Sequence, residues 1–280
     1  MKVEIFLENL NKKFFINEED NLFSLLNNLN NIDEVVGAKI NNNLIVDFYY
    51  KPKEGDKIKF LKIDDEDSLT ILNHSTSHIM AYAVKKLYPE VKLAIGPSIK
   101  NGFYYDFYIN KTFTPEDLVE IENKMKEILN NNLKFEKFEI NKDEARELFK
   151  EEKFKLELID DIEGDIVSIY KVGEFFDLCR GPHLKDTTLI KNFKILSSSS
   201  SYWRGDEKKE VLQRIYGTSF FDENSLNSYL EKLKEVEKRD HRRLGKELDL
   251  FSIHPEEAGP GFIFFHPKGG MIRKIIEDFE

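Results

Sequence analysis

The chain opens on alternating apolar and polar positions. Residues 3–7 and 13–16 carry that period-two pattern and predict two strands, whereas Leu22, Phe23, Leu25, Leu26 and Leu29 form a helical stripe. Short apolar runs at 36–40, 44–46 and 57–61 predict further strands. A strand pair, a helix and then short strands within residues 1–62 suit a ubiquitin-like β-grasp module. The acidic run at 64–67 reads as a linker.

The period then lengthens. Residues 70–87 predict a helix, with Pro89 just beyond it as a stop. Residues 92–107 predict a hairpin turning at Asn101-Gly102, with Phe103, Tyr104, Tyr105 and Phe107 on the return strand. Thr114-Pro115-Glu116-Asp117 has the order of a helix start: cap, first-position proline, acidic first turn. Val119, Ile121, Met125, Ile128 and Leu129 are its expected apolar positions. Residues 142–151 predict a helix, 154–158 a solvated strand and 175–178 an extended lead-in. A charged amphipathic helix is expected at 225–244, as a connector. Last come a strand at 262–265, a turn at 267–270 and a helix from 271 that runs into Glu280, a pattern expected of a truncated domain. The class predicted is α+β.

Composition narrows the setting. The chain has 280 residues, 40% of them hydrophobic, enough for ordinary cores. No run of 18 apolar residues and no signal-peptide core is present, so a cytoplasmic protein without membrane contact is expected. A single cysteine excludes an internal disulfide and agrees with a reducing compartment. A net charge of −10 argues against wholesale nucleic-acid binding, yet Lys232, Lys234, Lys238, Arg239, Arg242, Arg243 and Lys246 are concentrated in one stretch. The asparagine runs 41–43 and 130–132 read as drift in loops.

The candidate chemistry lies in two short motifs, His74-Ser-Thr-Ser-His78 and Cys179-Arg-Gly-Pro-His183. On a helix, a spacing of four puts both side chains on one face. Together the motifs use four of the seven His and Cys residues (six His, one Cys). Three imidazoles and a thiolate suit tetrahedral zinc. The same groups can hold and activate water without metal, with a His as general base, or make Cys179 a nucleophile. The residues alone leave these open. Asp177, two positions before Cys179, can share its face and orient a His or a substrate amine. Lys155 is a solvated residue unless it turns inward, where it would stabilise an oxyanion. Trp203 reads as a core anchor, and Arg204 with Lys208, Lys209 and Arg214 as backbone contacts for a nucleic acid.

These residues occur in a familiar order. His74-x-x-x-His78, Gly102-Phe103-Tyr104-Tyr105-Asp106, Phe154-Lys155, Asp177-Leu178-Cys179-Arg180-Gly181-Pro182-His183, Tyr202-Trp203-Arg204-Gly205-Asp206 and Gln213-Arg214-Ile215-Tyr216-Gly217 resemble bacterial threonyl-tRNA synthetases, and the stretch 238–250 continues the match. The resemblance covers the whole chain. It implies a TGS domain at 1–62, a two-layer α/β editing domain at 63–224, a linker helix at 225–245 and the start of a class II core at 246–280. It implies an editing site on His74, His78, Lys155, Asp177, Cys179 and His183 that hydrolyses Ser-tRNA(Thr), with Tyr104, Asp106 and Arg180 binding substrate.

The partner implied is tRNA(Thr), including its acceptor end. Related editing domains with the same spacing bind zinc, but the threonyl family does not require it, so zinc on the four His and Cys residues stays open. The family's ATP, Mg2+ and core zinc sites would lie beyond residue 280. The full-length family is expected to be homodimeric and this chain monomeric. One departure is the serine run 197–201, where relatives carry Gly or Ala, which puts the loop shape there in question. Rival readings are a freestanding trans-editing deacylase, against which residues 250–280 argue, and a non-enzymatic RNA-binding regulator.

Overall fold

The computed structural model describes residues 2–29, 34–259 and 261–279, and the chain divides into two units, Met1–Glu223 and Asn224–Glu280. The first unit begins with β1 (Lys2–Leu7), β2 (Lys12–Asn17), α1 (Leu22–Asn27), β3 (Val35–Ile40), β4 (Leu44–Val46) and β5 (Lys57–Lys62). The strands form one mixed sheet in the order β2-β1-β5-β3-β4, with β1 and β5 parallel and the other pairs antiparallel. Ile5, Leu7, Leu22, Leu25, Ile40, Ile58 and Phe60 fill the core between sheet and helix. Asn21 caps α1 by accepting from the Ser24 amide.

The asparagine runs are not idle drift. Asn41, Asn42, Asn101 and Asn132 all adopt positive φ (51°, 60°, 58° and 47°), a conformation asparagine tolerates better than most residues. Asn41 and Asn42 thereby reverse the chain between β3 and β4.

Next come α2 (Ser68–Leu87), β6 (Lys92–Leu93), β7 (Ser98–Ile99), β8 (Gly102–Tyr108), α3 (Pro115–Leu129), β9 (Phe135–Asn141), α4 (Lys142–Leu148), α5 (Lys153–Asp161), β10 (Ile166–Val172), β11 (Phe175–Leu178), β12 (Asn192–Tyr202) and β13 (Val211–Phe220). One sheet runs β12-β13-β8-β6, with β7 also paired to β8, and a second runs β11-β10-β9. In α2 every residue from 71 to 84 except His74 is buried, as expected of a central helix rather than a one-faced surface helix. Its hydroxyls are satisfied locally: Ser75 and Thr76 donate to the Ile71 and Leu72 carbonyls, each at 2.8 Å. Ile79, Met80 and Val84 pack with Phe103, Tyr105, Phe107, Phe175 and Ile215.

Several local expectations shift. The hairpin turns one residue early, at Lys100-Asn101, and Gly102 already belongs to β8, where a Cβ would lie 2.6 Å from the Gly217 carbonyl oxygen. Thr114 and Asp117 form a reciprocal capping box at the start of α3. Val119 is exposed, and Leu118 packs in its place. The helix predicted at 142–151 stops at Leu148. Residues 154–158, read as a strand, lie in α5. The serine run is strand, not loop, laddered along β13 after an irregularity between Ile195 and Ser197.

In the second unit the single helix expected at 225–244 is two, α6 (Glu223–Lys238) and α7 (His241–Glu247). Asp240 makes the break by capping α7 through the Arg242 amide at 2.8 Å. β14 (Phe251–Ile253), α8 (Pro255–Ala258), β15 (Ile263–Phe265) and α9 (Pro267–Phe279) complete it, with β14 and β15 antiparallel. Pro267 opens α9 where a turn was expected, because proline is favoured in a helix's first turn. Glu280 lies outside the described residues. The mixture of mainly antiparallel sheets and segregated helices is α+β, and among the described residues no helix is long and apolar enough to cross a membrane.

Candidate functional site

The α2 helix presents His74 and His78 one turn apart, with ring centroids 5.1 Å apart and edge-to-face. The turn after β11 carries Cys179 and His183 to the same place. Cys179 Sγ lies 3.4 Å from His74 Nε2 and 3.4 Å from His183 Nε2. One donor atom from each of the four residues falls within 4.8 Å of the others. The predicted convergence is therefore present in the structure.

The outer hydrogen bonds set the tautomers. His74 Nδ1 is 3.1 Å from the Pro182 carbonyl, which can only accept, so Nδ1 carries the proton and Nε2 presents a lone pair. Ser75 Oγ spends its single proton on the Ile71 carbonyl and accepts from the Leu184 amide at 2.9 Å. His183 Nδ1, 3.3 Å from that hydroxyl, must then donate to it, again leaving Nε2 bare. Both lone pairs point at Cys179. His183 is held flat against Phe135, with ring centroids 5.0 Å apart and planes 3° off parallel.

Beneath the cluster lies a buried charged network. Asp177 Oδ2 accepts from Tyr105 Oη at 2.6 Å and lies 3.6 Å from His78 Nε2, while Asp177 Oδ1 pairs with Lys155. Lys155 Nζ also donates to Tyr105 Oη at 3.1 Å. Lys155 and Asp177 are each only 2% exposed, so the lysine is neither solvated nor on a strand. Burial pushes His74 down to about 4 and His78 down to about 3, and it holds His183 well below the ordinary imidazole value. Burial, reinforced by Asp177, pushes the Cys179 thiol up to about 12. Without a metal, the site at neutral pH therefore holds neutral imidazoles and a protonated thiol, which disfavours Cys179 as a free nucleophile. His74 and Cys179 are the half-buried members and give the cluster its opening to solvent.

The other predicted residues sit elsewhere. Tyr104 is half-buried, with the Arg214 guanidinium 3.8 Å from its ring centroid and Tyr216 beside it. Both Asp106 oxygens are taken by Arg214, at 2.7 and 2.8 Å, so Asp106 holds that arginine against Tyr104. Arg180 is exposed and borders a cavity of about 240 Å³ that Asp47, Tyr50, Lys137 and Tyr170 also line. Trp203 is buried and donates to Glu157 at 2.8 Å, while Arg204 pairs with Asp161 at 2.5 Å. The two arginines proposed for nucleic-acid contact thus already have carboxylate partners. Sequence reasoning missed Tyr105 and Ser75 as parts of the site, because a strand tyrosine and a helix serine carry no local mark of their partners.

A family model described as "Threonyl and Alanyl tRNA synthetase second additional domain" matches residues 167–216, the stretch holding Asp177, Cys179, His183 and Arg214. The chain is 53% identical over 249 residues to a threonine–tRNA ligase of Clostridium tetani, covering 88% of this chain and 38% of that protein. The same figures hold for the threonine–tRNA ligase of Caldanaerobacter subterraneus subsp. tengcongensis. That of Citrifermentans bemidjiense is 50% identical over 247 residues, again 88% of this chain and 38% of the relative. The chain spans a little over a third of the length of these relatives.

Proposed function

We propose that the chain carries the editing hydrolase of the threonine–tRNA ligases it resembles, which cleaves serine from mischarged tRNA(Thr). The observation that carries this reading is the convergence of His74, His78, Cys179 and His183 above the Lys155–Asp177 pair. The sheet order of residues 1–62 supports a TGS-type β-grasp module, and the family match at 167–216 supports an editing domain over residues 63–224. Charging tRNA(Thr) with threonine at the expense of ATP is proposed for a protein of the relatives' full length. The setting proposed is the cytoplasm, and the partner is the acceptor end of tRNA(Thr).

Editing answers a physical limit. Serine lacks one methyl group of threonine, and such a difference is worth only about 1–3 kcal/mol in a binding pocket. A second site that admits serine and excludes the threonine methyl removes the residual error.

In the proposed reaction, the seryl ester enters past His74 and Cys179. A water attacks the ester carbonyl and gives its proton to a neutral imidazole. Among the neutral imidazoles His78 is the one beside the Asp177 carboxylate, 3.6 Å away, which partly offsets the burial that disfavours the imidazolium that forms. Lys155 supplies fixed positive charge near the developing oxyanion. Collapse breaks the ester C–O bond, and the imidazolium returns its proton to the leaving ribose oxygen. Serine and uncharged tRNA are released.

The donor set also fits zinc, since it joins three imidazoles to one thiol, and two of the rings have their outer nitrogens held by Pro182 and Ser75. His74, His78, Cys179 and His183 would hold the ion, which when bound supplies Lewis-acid activation of water. Zinc added to chelator-treated protein is then expected to raise the melting temperature, and to do so less in Cys179→Ser. Equal behaviour of the two proteins would count against metal at this site.

The test of function is deacylation of Ser-tRNA(Thr) beside Thr-tRNA(Thr). Selective loss of the seryl ester supports the reading. A folded chain that leaves both esters intact removes it.

A further inference from the structure

One carboxylate of the small sheet module reaches the candidate site from outside the two motifs. Asp47, just after β4, is 6% exposed and accepts three hydrogen bonds. Its Oδ2 accepts from the His183 amide at 3.2 Å and from the Tyr170 hydroxyl, and its Oδ1 from the Tyr49 amide at 3.0 Å. Two of these donors belong to the wall and the turn of the His/Cys cluster. The ring of Tyr170 lies against that of His183, with centroids 4.5 Å apart, and Tyr170 pairs with Asp177 across β10 and β11. Gly181 closes the fit: its φ is +79°, and a Cβ there would lie 2.5 Å from Tyr170 Oη and 2.8 Å from Asp47 Oδ2.

The bonds continue toward the reacting groups. The turn that Asp47 grips at His183 also supplies the Pro182 carbonyl that fixes the His74 tautomer, and the Gly181 amide that donates to Cys179 Sγ at 3.2 Å. A buried carboxylate with three donors is a strong, directional anchor, because removing it takes the partner from all three donors at once.

We propose that Asp47 is a positioning residue for the hydrolytic cluster, so that the small sheet module sets the geometry of the 179–183 turn. The kinetic arm of this inference rests on the editing reading. A second arm does not, because Cys179 is the chain's single cysteine and its alkylation reports the turn directly.

The experiment compares the full chain with Asp47→Ala, Asp47→Asn, Tyr170→Phe and Tyr49→Phe. It reads kcat and KM for Ser-tRNA(Thr) hydrolysis, and the rate at which iodoacetamide labels Cys179 in the folded protein. Asp47→Ala is expected to lower kcat by about 10–100-fold, the usual cost of losing a group that orients catalytic ligands, with little change in KM. Labelling should quicken as the turn loosens and exposes the Cys179 thiol. Asp47→Asn keeps one acceptor and should fall between, and Tyr170→Phe should move both readouts the same way by less. Tyr49→Phe keeps the Tyr49 amide that bonds Asp47 and loses the 3.0 Å bond from Tyr49 Oη to the Phe135 carbonyl together with its contact to the Lys137 backbone, so it should leave both unchanged.

Wild-type kcat and labelling in Asp47→Ala would overturn the proposal, as would equal losses in Tyr49→Phe, which would make the effect one of module docking. If Asp47→Ala fails to fold, unchanged values in both Asp47→Asn and Tyr170→Phe overturn it. Faster labelling in a chain whose wild type hydrolyses nothing would support the positioning role while removing the editing reading.

Discussion

Lys155 and Arg242 are both long cations beside an aspartate, and the fold treats them in opposite ways. Lys155 and Asp177 are each 2% exposed, locked to Tyr105 and set beneath His78. Arg242 and Asp240 pair at 2.7 Å in open solvent at the start of α7, where the aspartate serves mainly as a helix cap. Much of the basic stretch behaves alike: Lys234, Lys238, Arg239 and Arg243 each meet a glutamate three or four residues away. Charge density in the sequence pointed to the basic stretch alone, yet only burial turns charge into oriented chemistry. Water screens the exposed pairs, whereas a dry pair holds its geometry and loses heavily when broken.

The comparison can be broken most sharply at the cluster. The double variant His78→Ala, Cys179→Ala is expected to slow Ser-tRNA(Thr) hydrolysis by roughly 10³-fold, from the loss of a general base. A rate within a few-fold of wild type would make the buried region structural only. Next in size is Lys155→Met, which strands Asp177 and should cost about 3–5 kcal/mol of stability by denaturant titration. A variant as stable as wild type would mean that the pair is not buried in solution.

A pH series sharpens the contrast. The folded imidazoles of His74 and His78 resist protonation down to about 4 and 3, while in the unfolded chain they take protons near 6.5. Between those values the unfolded state binds more protons. The stability these residues contribute is thus fully present above about pH 6.5 and is lost as pH falls toward 4 and then 3. In chelator the melting temperature should drop across that window, and the drop should flatten in His74→Gln, His78→Gln. An equally steep fall in the variant would assign it to other groups. The smallest effect belongs to the exposed pair: Arg242→Ala should melt with wild type, and a clear loss would show that the surface stretch is more tightly held than its exposure implies.

Much of this was legible in local sequence. The four-residue spacing put His74 and His78 on one helix face, Thr114 and Pro115 marked the start of α3, and the short apolar runs of residues 1–62 became the strands of one sheet. The misreading of 154–158 is instructive. Phe154 and Leu156 alternate with Lys155 and Glu157 only if lysine counts as a surface residue; once Lys155 is inside, Phe154, Lys155 and Ile159 form the buried face of a helix.

Sequence alone determined most of the elements and many of their apolar positions, because periodicity and capping act over a few residues. Tertiary structure alone decided that Lys155, Tyr105 and Asp177 share one dry network. It also decided that Asp47 grips a turn 136 positions away, since a buried polar group is stable only beside partners that the packing of distant elements brings to it.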